Sequence, residues 1–347
     1  MLLTKLHPYF DLLARTWRGS IPAPAGEPPG GWDNWLQWIF HGKMAGFLHQ
    51  RIREQEIEAA FPPAVLQGLA HYRYQAVAVS ERLEALAGKI CEGLESRGFK
   101  AVPLKGLWLN RMVYSDPSLR RTTDVDLLVS RKALPVLESM LRQSGYRRSK
   151  SRYSPPWQVV FTGQGLTTVE AHLELTPPDE NPPPAEEILA RARPWGHPNE
   201  GLDAVDALLC LAINNAKDNL VVFPGNLCDI DALVRTPAMT GFWKSALERA
   251  SSWKWRTGLY YNLVFAAQLY ETPVPDNVLQ VLKPPSWRRA AVSTALGRYR
   301  TDVLRVDNLP KGWGALFKTA LIEDRGPAGY FLRRRRLLSG SRPLNEE

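Results

Sequence analysis

The chain of 347 residues predicts an α+β protein, with a small mixed-sheet core flanked by N-terminal and C-terminal helical regions. Three observations predict it. Apolar residues recur at helical spacing from Trp32 to about residue 97, and again from Leu202 to near the end. Short β-rich runs are confined to the stretch between, at 98 to 176. A Pro-rich segment at 177 to 200 then separates that core from the later helices. The expected organisation is an N-terminal helical region (1–97), an α/β core (98–176), a linker with one short helix (177–200) and a C-terminal helical domain (201–347).

Each element has its own signal. Residues 20 to 31 (SIPAPAGEPPGG) form a Pro/Gly loop after a short N-terminal helix. Trp35, Trp38, Ile39 and Phe40 then begin an apolar stripe that continues through Met44, Phe47 and Leu48. Trp32, Trp35 and Trp38 read as core residues rather than as a base-stacking platform. Pro62-Pro63 breaks the stripe, and a long helix follows from about 64 to 96, with Gly98 as its stop. Phe99 to Leu104 is a short strand ending at Lys105-Gly106, followed by about two helical turns over 107 to 114. A polar loop at 115 to 123 leads into Asp124-Val125-Asp126-Leu127-Leu128-Val129, which reads as a strand.

A helix from about 131 to 144 closes at Gly145. Two β-rich arms, 157 to 162 and 166 to 175, flank Gly163-Gln164-Gly165 as a hairpin. The second arm alternates: Val169, Ala171, Leu173 and Leu175 share one face, and Glu170, His172 and Glu174 the other. The linker helix is expected over 185 to 193.

Composition narrows the function classes. Lys and Arg total 44 against 35 acidic residues, a net charge of +9, which suits a polyanionic partner such as a triphosphate, RNA or a membrane surface. Much of the excess is the run Arg333-Arg334-Arg335-Arg336, which reads as a solvated helix end or tail because no RNA-binding signature accompanies it. Cys91, Cys210 and Cys228 are few, odd in number and widely spaced. They make neither a disulfide framework nor a metal-site spacing, so buried thiols in a reducing compartment are expected. The first residues lack a continuous apolar stretch, and no uncharged run of about 18 residues exists. The chain therefore reads as cytoplasmic, with no membrane partner.

The strongest chemical signal is Asp124-Val125-Asp126. On a strand, residues two apart share a face and lie roughly 7 Å apart along it. Two carboxylates there, with Val125 and Leu127 anchoring the other face, make a platform for a divalent cation. Magnesium (or manganese) fits, because it takes carboxylate oxygens and leaves the rest of its shell to water and phosphates. A third acid from a neighbouring strand completes such a site, and Glu170 is the choice, with Glu174 second. Lys105-Gly106 opens a helix, whose first backbone N–H groups can meet a phosphate. Lys105 or Arg120 supplies positive charge there. His172 either contacts a phosphate or acceptor, or bonds a neighbouring carboxylate. Asp229 and Asp231 fall on a helix, where residues two apart do not share a face, so no second metal pair is expected.

These residues carry a resemblance. Pro103-Leu104-Lys105-Gly106, Tyr114-Ser115-Asp116-Pro117, Arg120, Asp124 to Val129 and Val169-Glu170-Ala171-His172, in this order, resemble an uncharacterised bacterial nucleotidyltransferase family of the polymerase β-like superfamily. His41-Gly42-Lys43 looks like that family's N-terminal helices, and Leu208 to Leu233 like its C-terminal helical segment, so the likeness spans roughly 30 to 240. It implies that Gly106 begins the nucleotide-binding turn and that Asp124 and Asp126 are metal ligands with Glu170 as third acid. Better-known members carry Gly-Ser at that turn and a shorter gap to the aspartates. Here Leu107 follows Gly106 and Asp124 comes 18 positions after it, so Lys105 or Arg120 substitutes for the serine hydroxyl. The C-terminal segment of such proteins often carries a histidine where this chain reads Ile213-Asn214-Asn215-Ala216-Lys217.

The expectation is magnesium-dependent transfer of a nucleoside monophosphate from a triphosphate, with ATP the expected donor, to an acceptor hydroxyl. The acceptor is a small molecule, a peptide or a protein, with RNA disfavoured. The alternative is a nucleotide- or partner-binding regulatory module that has lost transfer.

Overall fold

A computed structural model describes residues 15–19, 24, 26–28, 30–114, 116–149, 157–163, 167–177, 180–194, 200–217, 224–236, 240–296 and 320–321. The Arg333–Arg336 run, Ser115, the Gln164-Gly165 turn, the start of the chain and parts of the linker lie outside them. The fold is mixed α+β, with a five-stranded sheet in the middle of the chain and helices before and after it. Among the described residues, no helix is long and apolar enough to cross a membrane.

The chain divides into two compact units, with the break between Leu211 and Ala212. The first unit, from Arg15, holds the N-terminal helices together with the sheet. Helices α1 (Gly31–His41) and α2 (Ala45–Glu54) precede α3 (Pro63–Glu95), and Pro63 opens α3 at a first-turn position where its missing N–H costs nothing. Trp35 and Trp38 are buried on α1, as the apolar stripe requires, whereas Trp32 is only half-buried and packs against Trp35 and Phe61 at its edge. α3 packs along β1 (Ala101–Pro103) and β2 (Asp124–Val129), and α1 and α2 pack on α3.

Two short helices complete this layer. α4 (Lys105–Met112) starts two residues earlier than the sequence suggests, which places Lys105 and Gly106 inside its first turn. α5 (Leu134–Gln143) ends at Gly145, whose φ of +83° is the left-handed stop that a glycine adopts without strain. The remaining strands are β3 (Arg147–Arg148), β4 (Gln158–Thr162) and β5 (Thr168–His172).

The sheet order is β1-β2-β5-β4-β3. β2 and β5 run parallel at its centre, while β1 against β2, β4 against β5 and β3 against β4 are antiparallel. Val125, Leu127, Val129, Val169 and Ala171 are fully buried on one face, as the alternation demands. After α6 (Ala185–Ala190), Arg193–Pro194 and Glu200–Gly201 pair as the short strands β6 and β7. The sequence gives no warning of that ladder, since two-residue strands carry no periodicity.

The break between units falls within α7 (Ala204–Lys217). The second unit is helical: α8 (Pro224–Arg235), α9 (Phe242–Ser252), α10 (Arg256–Tyr270), α11 (Asp276–Leu282) and α12 (Ser286–Leu296). α10 is buried over most of its circumference and lies against α8. Its Asn262 donates to the carbonyls of Ala212 (3.0 Å) and Gly258 (2.8 Å) and accepts from Asn215 Nδ2 at 2.9 Å. Asn215 is thus committed to holding helices together. Asp231 accepts from Arg235 and from Thr272 Oγ1 at 2.7 Å. It is a satisfied buried acid and joins no cluster able to hold a metal among the described residues.

Candidate active site

The sheet register builds the site. Asp126 stands directly opposite Glu170 across the parallel β2/β5 pair, and Asp124 opposite Thr168. Paired residues in a parallel ladder project to the same face, so Asp124, Asp126, Glu170 and His172 all rise from one side of the sheet. The three side chains of Asp126, Glu170 and His172 each offer a donor atom within 4.8 Å of the others. The separate sequence signals at 124–126 and 170–172 therefore meet at one place.

Lys105 joins them from β1. That strand pairs with β2 as far as Pro103 opposite Leu127, and Leu104 N–H donates to the carbonyl of Asp126 at 2.9 Å. The chain then turns into α4 beside Asp126. Lys105 takes the turn at φ +49°, a left-handed conformation that costs a residue with a Cβ about 1 kcal/mol or more. Its Nζ donates to Asp126 Oδ1 at 3.0 Å. His172 Nε2 donates to the same oxygen at 2.8 Å and lies 3.6 Å from Glu170 Oε2. Of the two roles open to His172, bonding a carboxylate is the one this geometry supports, and the ring is only 2 % exposed. Its Nδ1 is buried with no hydrogen-bond partner among the described residues. Gln158, across the hairpin on β4, donates to Glu170 Oε2 at 2.6 Å and fixes that carboxylate.

Electrostatics split the two aspartates. Burial would raise the Asp126 carboxyl, but the Lys105 ammonium and the bond from His172 outweigh it and hold Asp126 well below the usual carboxylate range. Asp124 goes the other way. Burial, then the charges of Asp126 and Glu170, raise it to about 6, although Lys105 and Lys43 oppose the rise. Lys105 is itself kept charged: burial works against its ammonium, and Asp126 overrides that.

Other side chains hold the frame. Arg73 on α3 donates to Asp116 Oδ2 (2.8 Å) and Ser118 Oγ (2.6 Å), and Asn110 Nδ2 on α4 reaches the Arg120 carbonyl and Thr122 Oγ1, each at 3.2 Å. The loop that delivers Asp124 is thereby tied at both ends. Arg120 is buried behind the first turn of α4: a Cβ built on Gly106 would fall 2.8 Å from its Nη1 and 2.6 Å from Thr122 Oγ1. Gly106 is thus required by close approach, and its backbone is ordinary right-handed helix; the left-handed residue is its neighbour. Gly106→Ala is expected to cost about 1–3 kcal/mol, read as a lowered urea midpoint. An unchanged midpoint would show that the loop yields freely. Glu174, the second choice for third acid, pairs instead with Arg131.

Sequence reasoning gives no chemistry to Lys43, Gln158 or Asn110. For Lys43 a signal exists, the His41-Gly42-Lys43 triplet. It follows α1 at φ +59°, a position that glycine fills more easily, and its charge is felt at Asp124. Gln158 and Asn110 carry no such mark.

The donor set suits a hard divalent cation: carboxylates on adjacent strands, one of them anionic against its burial, and an imidazole bonded to that carboxylate on the same face. A family model described as an uncharacterised nucleotidyltransferase matches residues 28–271, and the chain belongs to that family. The match covers both the lead-in helices and the sheet. Membership implies a nucleoside triphosphate substrate and a divalent metal, in keeping with the acidic cluster. No curated protein matches the chain.

Proposed function

We propose that the protein is a magnesium-dependent nucleotidyltransferase that moves a nucleoside monophosphate from a triphosphate, ATP foremost, to an acceptor hydroxyl. The observation that carries this reading is the pairing of Asp126 with Glu170 across β2/β5, with Asp124 on the same face and Lys105 at the adjoining helix start. The acceptor hydroxyl gives up its proton to solvent as its oxygen attacks the α-phosphorus, the bond to the bridging oxygen breaks, and pyrophosphate leaves. Asp124, Asp126 and Glu170 would hold the metal, which would supply neutralisation of the developing phosphate charge. Lys105 and the N–H groups from Gly106 onward would meet the phosphates, and the buried Arg120 would add positive charge behind that turn. His172 works through Asp126, orienting the carboxylate. The acceptor is a small molecule, peptide or protein in the cytoplasm, and RNA is disfavoured because the Arg333–Arg336 run has no accompanying recognition motif.

One observation favours a second reading, a regulatory module that binds without transfer. Lys105 already neutralises Asp126, so the carboxylates do not by themselves demand a cation. Calorimetric titration with ATP, GTP, CTP and UTP, with and without magnesium, separates the two. The wild type should bind one triphosphate only with metal, and the Asp124→Asn/Asp126→Asn variant should bind none. Metal-independent binding retained by the variant would sink the transferase reading.

A further inference from the structure

In this site one oxygen of the central acid already has a positive partner. Lys105 Nζ and His172 Nε2 converge on Asp126 Oδ1, at 3.0 and 2.8 Å. The two donors differ in freedom. The His172 side chain is 3 % exposed and sits on a central strand, whereas the Lys105 side chain is 26 % exposed at a helix start. The ammonium can swing outward on its four-carbon stem while the carboxylate, 6 % exposed, stays. Lys105 also holds a left-handed backbone conformation next to a glycine that does not use one. The strained residue is therefore the one whose side chain meets Asp126, and the Leu104 bond to the Asp126 carbonyl keeps it there.

We propose that Lys105 is a resident counter-ion exchanged for the metal, resting on Asp126 until metal and triphosphate arrive together and then passing to the phosphates. The idea rests on the metal-and-triphosphate reading of the site. Its logic is charge balance. A divalent cation on Asp126 and Glu170 repels an ammonium on the same oxygen, and Lys105 must leave for another anion. The triphosphate is that anion. Metal alone has to displace the lysine into water, whereas metal with nucleotide gives it a new partner. Metal and nucleotide are therefore coupled, each strengthening the other by the same factor. In this family member the lysine takes the place of the serine hydroxyl that Leu107 cannot provide.

The test is calorimetry with Mn2+ alone, then with each of the four nucleoside triphosphates at saturating Mn2+, on wild type, Lys105→Met and Lys105→Arg. Lys105→Met should bind Mn2+ alone roughly tenfold or more tightly than wild type and bind the Mn2+–nucleotide complex roughly tenfold less tightly. Lys105→Arg, which keeps the charge, should follow wild type for Mn2+ alone. A merely structural lysine would weaken both bindings, and equal Mn2+ affinity in Lys105→Met and wild type overturns the exchange. If Lys105→Met does not fold, as judged by circular dichroism, wild type decides: Mn2+ affinity must rise with nucleotide, and no rise overturns the inference. Absence of Mn2+ binding by every protein, with or without nucleotide, overturns the metal reading itself and this inference with it.

Discussion

Replacing Asp124 with Asn is expected to make the metal-free protein more stable while removing its activity. The folded Asp124 carboxyl titrates near 6, above the ordinary aspartate value of 3.8, because burial and two neighbouring acids oppose its charge. A raised acid binds its proton more tightly when folded, so its contribution to stability is full at low pH and is lost as pH rises through 6. At neutral pH the ionised carboxylate is a liability. The shift corresponds to a ceiling of about 3 kcal/mol, and since the group is partly exposed, about 1–2 kcal/mol is the expected gain on removing the charge. That is a rise of a few degrees in melting temperature. The difference between variant and wild type should shrink from pH 7 to pH 4.5, as the wild-type carboxyl takes up its proton. Turnover should fall by roughly three orders of magnitude, because the metal's neutralisation of phosphate charge is worth several kcal/mol. Melting curves across that pH range with chelator, alongside pyrophosphate release, measure both halves. A variant no more stable than wild type at pH 7 would show that Lys43 and Lys105 already compensate the charge.

The second large effect is expected at Gly46, on α2. A Cβ there would fall 2.3 Å from the Ser118 carbonyl oxygen and 2.4 Å from that of Leu119. Both contacts are backbone, so no side chain can rotate away. The neighbouring segment is also fixed, by Arg73 on Asp116 and Ser118 and by Asn110 on the Arg120 carbonyl. Gly46→Ala should therefore cost about 3 kcal/mol or more, at or above the upper range for overpacking. Because the displaced segment leads into Asp124, the part that remains folded should also lose metal affinity. Urea unfolding, with Gly68→Ala on α3 as a comparison (nearest neighbour a Leu36 side-chain carbon at 3.4 Å), tests it. Equal costs at the two glycines would refute the argument.

The two cases show where the sequence speaks. The Asp124–Val129 strand, the long helix after Pro63 and the hairpin arms were legible because each has a period or a punctuating residue of its own. So was the shared face of Glu170 and His172, which follows from strict alternation. The family match over 28–271 spans the stretch from Lys105 to His172. What the sequence could not supply was pairing. Alternation says that Glu170 and His172 share a face, but the parallel register that sets Glu170 against Asp126 belongs to strands far apart in the chain. The Lys105–Asp126 bond was hidden for a similar reason. A lysine before a glycine reads as a phosphate contact, and only the departure of β1 from the sheet at Leu104 turns its side chain onto the acid. Gly46 was silent because a helical glycine carries no periodic signal of what approaches it.

The parallel join between β2 and β5 also sets an order of assembly. Lys105 and Asp126 are 21 residues apart and are united by neighbouring antiparallel strands, whereas His172 lies 46 residues beyond Asp126 and reaches it only through a crossover. Closing the longer loop is the slower event, since its entropy is spent before any contact rewards it. During synthesis the lysine is made first, the aspartate next, and Glu170 is the last of the acids. The growing chain thus meets its positive charge before its final negative one, and the acids come together around a cation that the polypeptide carries with it.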